Sequence, residues 1–389
     1  MSKLVPPHGG GELTKCLVPE EKRAALLEEA KGLEKIFMSS KEVSDLVMLA
    51  AGFFCPLEGF MTRKDYENVV EKMQLANGVL WPIPITLSVD KEKAASLKLG
   101  QRVALVDSES NETMGVLTIE DIFEYDKQKE AQNVFGTVDE NHPGVQKCLA
   151  RGDVYVGGKL EALSEGGYRE NYPEYARPEE TRAIFEEKGW QTITAFQTRN
   201  PIHRSHEYLT KIALEISDGI FIHPIVGKLK ADDIPADVRM KCYNVLIENY
   251  YPKENVVLKV YPMEMYYAGP KEALLHAIIR QNCGCSHLVI GRDHAGVGKY
   301  YGPFDAQKIF ETIPKGSLAI QPMKIDWTFH CYKCNGMASM KTCPHSAEDR
   351  LLISGTKLRQ MLSQGEKPAA EFSRPEVLDI LIDYYASKK

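Results

Sequence analysis

Two histidines three residues apart, His203 and His206, lie in the run Phe196-Gln197-Thr198-Arg199-Asn200-Pro201-Ile202-His203-Arg204-Ser205-His206-Glu207. Beside Arg199, whose forked guanidinium is always charged, they make a set suited to gripping phosphate oxygens. Zinc-binding helical histidines stand four apart around a glutamate, so this spacing reads as anion handling; the bland alternative is that His206 covers a core edge and His203 is solvated. A second group, Gly291-Arg292-Asp293-His294-Ala295-Gly296, pairs charged side chains with glycines that let backbone approach a nucleotide. The alternative there is a glycine-rich connection with an Arg292–Asp293 ion pair. A third group, Cys331-Tyr332-Lys333-Cys334 with Cys343-Pro344-His345, offers three thiolates and an imidazole, a soft tetrahedral set for zinc. His330 competes with His345 as fourth ligand, and free thiols in a surface loop are the other reading. A zinc with no open coordination position is structural.

The elements that must position these groups follow from periodicity. Thr192-Ile193-Thr194-Ala195-Phe196 favours a strand, and Asn200-Pro201 signals a helix N-cap with proline at the first helical position. The expected helix, 201–216, sets Ile202, Leu209, Ile212, Ala213 and Ile216 on one face. Strands at 191–196, 218–225, 255–261 and 286–291 alternate with helices at 201–216, 235–250, 270–282 and 303–312. That alternation predicts a parallel sheet with ligands at the carboxyl ends of its strands. Three blocks sit there: 197–206, His223-Pro224-Ile225-Val226-Gly227, and the loop from Gly291. Upstream, residues 1–170 are β-rich, with strand-like runs at 78–89 and 102–106 and helices at 19–35 and 41–51. A polar, aromatic connection at 166–177 and a helix at 179–188 separate the two regions.

The chain has 389 residues, enough for two or three domains, and 48 basic against 54 acidic side chains give a net charge of −6. That balance does not suit non-specific binding to nucleic acid or an anionic membrane. No signal peptide and no bilayer-length apolar run is found, and nine cysteines fit reduced thiols, so the expected location is the cytoplasm. Lys299-Tyr300 after Gly298 does not make a Walker A loop. Ser354-Gly355-Thr356-Lys357 reads either as another phosphate loop or as a helix N-cap.

The HxxH spacing resembles the HxGH signature of nucleotidyltransferases that release pyrophosphate. Taken in order, Pro7-His8-Gly9-Gly10, Pro56-Leu57-Glu58-Gly59-Phe60-Met61, the 197–206 run, 223–227, Tyr267-Ala268-Gly269-Pro270-Lys271-Glu272-Ala273, 291–296, Ile353-Ser354-Gly355-Thr356-Lys357 and Phe372-Ser373-Arg374-Pro375-Glu376-Val377 resemble the ATP sulfurylase (sulfate adenylyltransferase) family nearly end to end. The likeness is to its prokaryotic type without a fused kinase. It implies an α/β protein with a PUA-like β-rich domain at 1–170, a Rossmann-like nucleotidyltransferase domain at 171–328 and a small C-terminal domain at 329–389 carrying the zinc knuckle. The implied reaction is ATP plus sulfate to adenosine 5′-phosphosulfate plus pyrophosphate, by in-line attack of sulfate on the α-phosphate.

By the same likeness Gln197, Arg199 and the backbone at Ala295 hold sulfate, and Thr198, Arg199 and Asn200 form the catalytic turn. His203 and His206 stabilise the leaving pyrophosphate, while Gln197 to Asn200, Gly291, Arg292, Asp293, His294 and Asp326 bind ATP. Mg²⁺ accompanies the triphosphate, Zn²⁺ takes Cys331, Cys334, Cys343 and His345, and a homodimer is expected. One departure stands out: the family's Met-Arg-Tyr block reads Met265-Tyr266-Tyr267 here. Two rival readings remain, an HxxH adenylyltransferase acting on a phosphate ester and a zinc-stabilised PUA-like RNA-binding protein, the latter opposed by the charge and by the lack of a basic aromatic stripe.

Overall fold

The structure, a computed structural model, describes residues 3–228, 233–351 and 355–388. The N-terminal region builds a six-stranded sheet. Glu34–Met38 runs parallel to Arg102–Asp107, which pairs antiparallel with Thr113–Glu124; that strand pairs with Val154–Ala162, which carries Gly59–Phe60 and Ser88–Val89 on its far side. The expected helix 19–35 stops at Ala30, and Glu34–Met38 is a strand. Gly32 breaks the helical run, and pairing with 102–107 overrides the local preference of the charged residues. The expected strand 78–89 forms a ladder over Ser88–Val89 and an isolated bridge from Leu80 to Gln74; between them Pro82 and Pro84 have no N–H to donate to a ladder.

Residues 193–324 hold a five-stranded sheet, all of its pairings parallel. Its spatial order is Gln321–Lys324, His287–Ile290, Ile193–Phe196, Gly219–Ile222, Val256–Leu258. Chain direction across the sheet reverses between Ile193–Phe196 and His287–Ile290, so the loops after these neighbouring strands diverge and open a crevice. The helices fall close to expectation at Ala236–Tyr250 and Pro270–Asn282. The helix expected at 303–312 divides into an α-turn, Asp305–Lys308, and a 3₁₀ turn, Ile309–Glu311.

The helix after the first strand begins at Arg204 and not at Pro201, with His203 in extended backbone at the N-cap. Asn200 is unavailable as a cap because its own backbone is engaged. Its N–H donates to Thr198 Oγ1 at 3.0 Å, and its carbonyl accepts from Thr198 Oγ1 at 3.1 Å and from the Tyr243 hydroxyl at 2.8 Å. Ile202, Leu209 and Ala213 are buried as the helical face predicts, whereas Ile216 lies past the helix end and is exposed.

The N-terminal and parallel sheets share one continuous core running from Leu4 to Leu381. Fully buried Asn282 pins the seam: its side chain accepts the His8 N–H at 2.8 Å and donates to the Phe53 and Cys55 carbonyls at 2.9 and 3.0 Å. A separate three-stranded antiparallel sheet, Gly336–Ser339, Thr328–Cys331 and Arg350–Leu351, has a small core of its own. Among the described residues no helix is long and apolar enough to cross a membrane.

Candidate active site

A cleft of about 740 Å³ opens at the strand reversal. Gln197, Thr198, Arg199, Asn200, His203 and His206 line one side, and Gly291, Arg292, Asp293, His294, Ala295 and Asp326 line the other. The second sequence block does not join them. His223 is fully buried behind the strand ends, its ring against Phe221 and Tyr261 with centroids 4.3 and 4.6 Å away.

On the first wall His203 and His206 stack with centroids 3.8 Å apart, backed by Phe196 and Phe372. Among the described residues both Nδ1 atoms are buried without a hydrogen-bond partner, as is Nη1 of Arg199, whose guanidinium lies 5.2 Å from the centre of the Tyr267 ring. Burial pushes His206 down to about 4, and burial together with the neighbouring ring holds His203 well below its usual range. Both imidazoles are therefore neutral at pH 7 until an anion enters the cleft and favours the charged form. Arg199, Arg292 and Lys357 beside two imidazoles that an anion can charge suit a polyanion better than a neutral ligand.

The second wall is a strained loop. Asp293 and Ala295 both hold φ = 54°, a left-handed conformation that costs a non-glycine residue about 1 kcal/mol or more. The loop is braced from outside: Gly269 N–H donates to the Ala295 carbonyl at 3.1 Å, and Asp293 N–H donates to Pro303 at 2.9 Å. Gly269 itself has φ = 51°, and a Cβ there would fall 2.6 Å from the Tyr301 ring. Gln307 Nε2 donates to the carbonyls of Ile290 and Ile325 at 2.8 and 2.9 Å, holding both strand ends in register. The Arg292–Asp293 ion pair of the alternative reading forms at 3.0 Å, and Arg292 also lies 4.4 Å from the centre of Trp327.

Residues 174–384 match the family model described as ATP-sulfurylase, and residues 5–165 match a PUA-like domain. The chain belongs to the ATP sulfurylase family. A sulfate adenylyltransferase from Desulforamulus reducens is 55% identical over 99% of this chain and 99% of that one. Another from Pelodictyon phaeoclathratiforme is 56% identical over 99% of this chain and 96% of that protein. Among solved structures, one titled hexameric APS kinase from Thiobacillus denitrificans superposes with a TM-score of 0.75 at 26% identity, covering 97% of this chain and 68% of that one.

Several parts of this ATP sulfurylase site were not legible as chemistry in the sequence. Phe372 packs on His203, and its carbonyl accepts the Arg204 N–H at 2.9 Å. Arg374 grips buried Glu207 through two bonds of 2.8 and 2.7 Å. The Phe372-Ser373-Arg374 segment is thus a strap that sets where the histidine helix begins. Trp327, Thr328, His330 and Leu351 bring the small C-terminal sheet into the cleft wall. The motif at Ile353-Ser354 lies outside the described residues, whereas Lys357 lines the cleft. Tyr266, at the family arginine position, turns away from the cleft: its hydroxyl donates to Asp45 at 2.8 Å under the Lys41 ammonium.

Cys331, Cys334, Cys343 and His345 come together, with ligand atoms all within 4.8 Å of one another. A tetrahedral zinc with ordinary Zn–S and Zn–N bonds needs S···S edges of about 3.8 Å and S···N edges of about 3.6 Å. Here Cys334 and Cys343 sulfurs are 3.8 Å apart, and His345 Nδ1 lies 3.2 to 3.8 Å from the three sulfurs. The donor set fits zinc. His330, the competing ligand, is outside the group and faces the nucleotide cleft.

Proposed function

We propose that the chain condenses ATP with sulfate to adenosine 5′-phosphosulfate and pyrophosphate at this cleft. The observation that carries the reading is the meeting of the histidine turn and the 291–296 loop across one cleft that Arg199, Arg292 and Lys357 also line. Sulfate is an anion already, so no general base is required, and the work is to hold two negative groups together in line. Arg199, Gln197 and the Ala295 backbone hold sulfate. The Thr198 hydroxyl is spent inside the turn, so Thr198 shapes the wall that Arg199 and Asn200 present. His203 and His206 meet the charge that develops on departing pyrophosphate, a term worth about 3 kcal/mol per donor. Gly291 to His294 and Asp326 line the nucleotide.

Magnesium carried in with ATP offsets phosphate charge. Asp293 is committed to Arg292 and Asp326 to the Trp327 N–H, so the ion is held mainly by phosphate oxygens and water. Zinc at the Cys₃His group ties residues 329–351 together. The divisions near 170 and 328, the homodimer and the cytoplasmic location belong to the same reading; light scattering of the purified chain tests the dimer.

The deciding experiment is pyrophosphate release from Mg-ATP with and without sulfate, with Arg199→Ala as control. Strict sulfate dependence, nearly abolished in a folded Arg199→Ala protein, is the expected result. Sulfate-independent release, or release only with a phosphate ester, would overturn the assignment.

A further inference from the structure

Glu272, His276 and Arg280 recur every fourth residue of the Pro270–Asn282 helix, so they share one face, and all three are fully buried. His276 Nδ1 is 3.0 Å from His294 Nε2, a true hydrogen-bond distance, and His294 lines the cleft. On its other side His276 Nε2 lies 3.6 Å from Glu272 Oε1, too long for a hydrogen bond but close enough for a charge to bias which nitrogen carries hydrogen. Burial pushes the Glu272 carboxyl up to about 7, opposed by the Tyr266 and Ala268 N–H groups, which it accepts one on each oxygen, both at 3.0 Å, so its carboxylate form prevails above that pH. Arg280 faces the chain from the next turn, with its guanidinium over Tyr261, and His223 lies beyond. No acidic partner of Arg280 is present among the described residues, so Glu272 is the negative end of the array.

We propose that Glu272 and His276 are positioning residues that hold His294 with its hydrogen on Nε2 and its Nδ1 lone pair free for a hydrogen-bond donor of the nucleotide. The polarity follows step by step. Carboxylate at Glu272 draws the His276 hydrogen to Nε2, which leaves His276 Nδ1 as an acceptor. His294 must then donate from Nε2, and its Nδ1 makes no hydrogen bond among the described residues. Outer partners that orient a histidine in this way are worth about 10- to 100-fold in affinity or activity at other sites. The nucleotide half of the inference rests on the proposed function; the tautomer half does not.

Nitrogen-15 NMR of imidazole-labelled protein without ligand, recorded at about pH 8, above the raised value of Glu272, tests the tautomer directly. The expected spectrum has His294 carrying hydrogen on Nε2 in the wild-type protein and a mixture of tautomers in His276→Gln, which keeps a polar group beside Glu272 but releases His294. In turnover assays His276→Gln should raise the KM for ATP about 10-fold, with the KM for sulfate and the thermal midpoint unchanged. Hydrogen on His294 Nδ1 in the wild-type protein overturns the proposal, and needs no variant to fold. An unchanged His294 spectrum and an unchanged ATP KM in a folded His276→Gln protein would overturn it as well.

Discussion

His203 closes the first turn of its helix from the N-cap position, yet its ring stacks on His206 with centroids 3.8 Å apart. The two imidazoles make a single surface at the mouth of the helix, where unpaired N–H groups already favour anions. Removing either ring takes away one donor and loosens the other. His203→Ala and His206→Ala are each expected to lower sulfate-dependent turnover by about 10²- to 10³-fold. The double variant should lose much less than the product of the two, since the rings act as a unit. Steady-state rates of the three proteins, with circular dichroism to confirm folding, give the answer; full additivity would mean that the rings work independently.

The same burial makes stability depend on pH. Burial pushes His206 down to about 4, and burial with the Arg280 charge takes His294 down to about 3. An imidazole whose folded pKa lies below its unfolded value of about 6.5 stabilises the fold fully above that value and loses the contribution as pH falls toward the folded pKa. Urea midpoints should therefore fall between pH 7 and pH 4. Carboxylates push in the same direction, so His206→Phe isolates the effect: its midpoint should decline less steeply than that of the wild-type protein.

The strap at the C-terminal end sets the height of the histidine turn. Glu207 is buried and bound by Arg374 at 2.7 and 2.8 Å, with Lys211 at 2.7 Å as a second partner. Removing one partner of a fully buried pair costs 3 to 5 kcal/mol, and Lys211 together with partial exposure of Arg374 reduces that to about 2 kcal/mol for Arg374→Met. Turnover should fall alongside stability because Phe372 moves with the strap. A variant with lowered stability and unchanged turnover would show that the strap does not set the histidines.

Zinc removal should act on the cleft from outside. Phe329, Cys331, Ala338 and Cys343 form a core too small to hold three strands alone. Chelation, or Cys334→Ser, is expected to lower zinc content from about one ion per chain, release the 328–351 segment to protease and weaken nucleotide binding through Thr328 and His330. Metal analysis, limited proteolysis and nucleotide titration of one sample test the chain of cause; a zinc-free protein with an intact segment would break it.

Much of the site was legible because chemistry that needs particular residue types leaves them close together in the chain. The 197–206 run, the 291–296 loop and the Cys₃His set are each short and local, and a strand followed by a turn and a helix places such runs at strand ends whatever surrounds them. Errors fell where local preference competed with distant partners. Asn200-Pro201 has the composition of a helix start, yet Tyr243 and Thr198 capture the Asn200 backbone and delay the helix to Arg204. His223 follows a strand like the other blocks, but lies in the core beside Tyr261.

The sequence alone determined the alternation of strands and helices over residues 191–291, the local donor sets and the family, since each depends on neighbours within a few residues or on the whole ordered series of motifs. Tertiary structure alone decided which groups share a space. Phe372 and Arg374 reach the histidine helix from more than 160 positions away, Tyr266 turns toward Asp45 instead of the cleft, and His276, on the Pro270–Asn282 helix, backs His294 in its loop. Contacts of that range are set by packing of one continuous core, and no local pattern of side chains encodes which face of a helix will meet which loop.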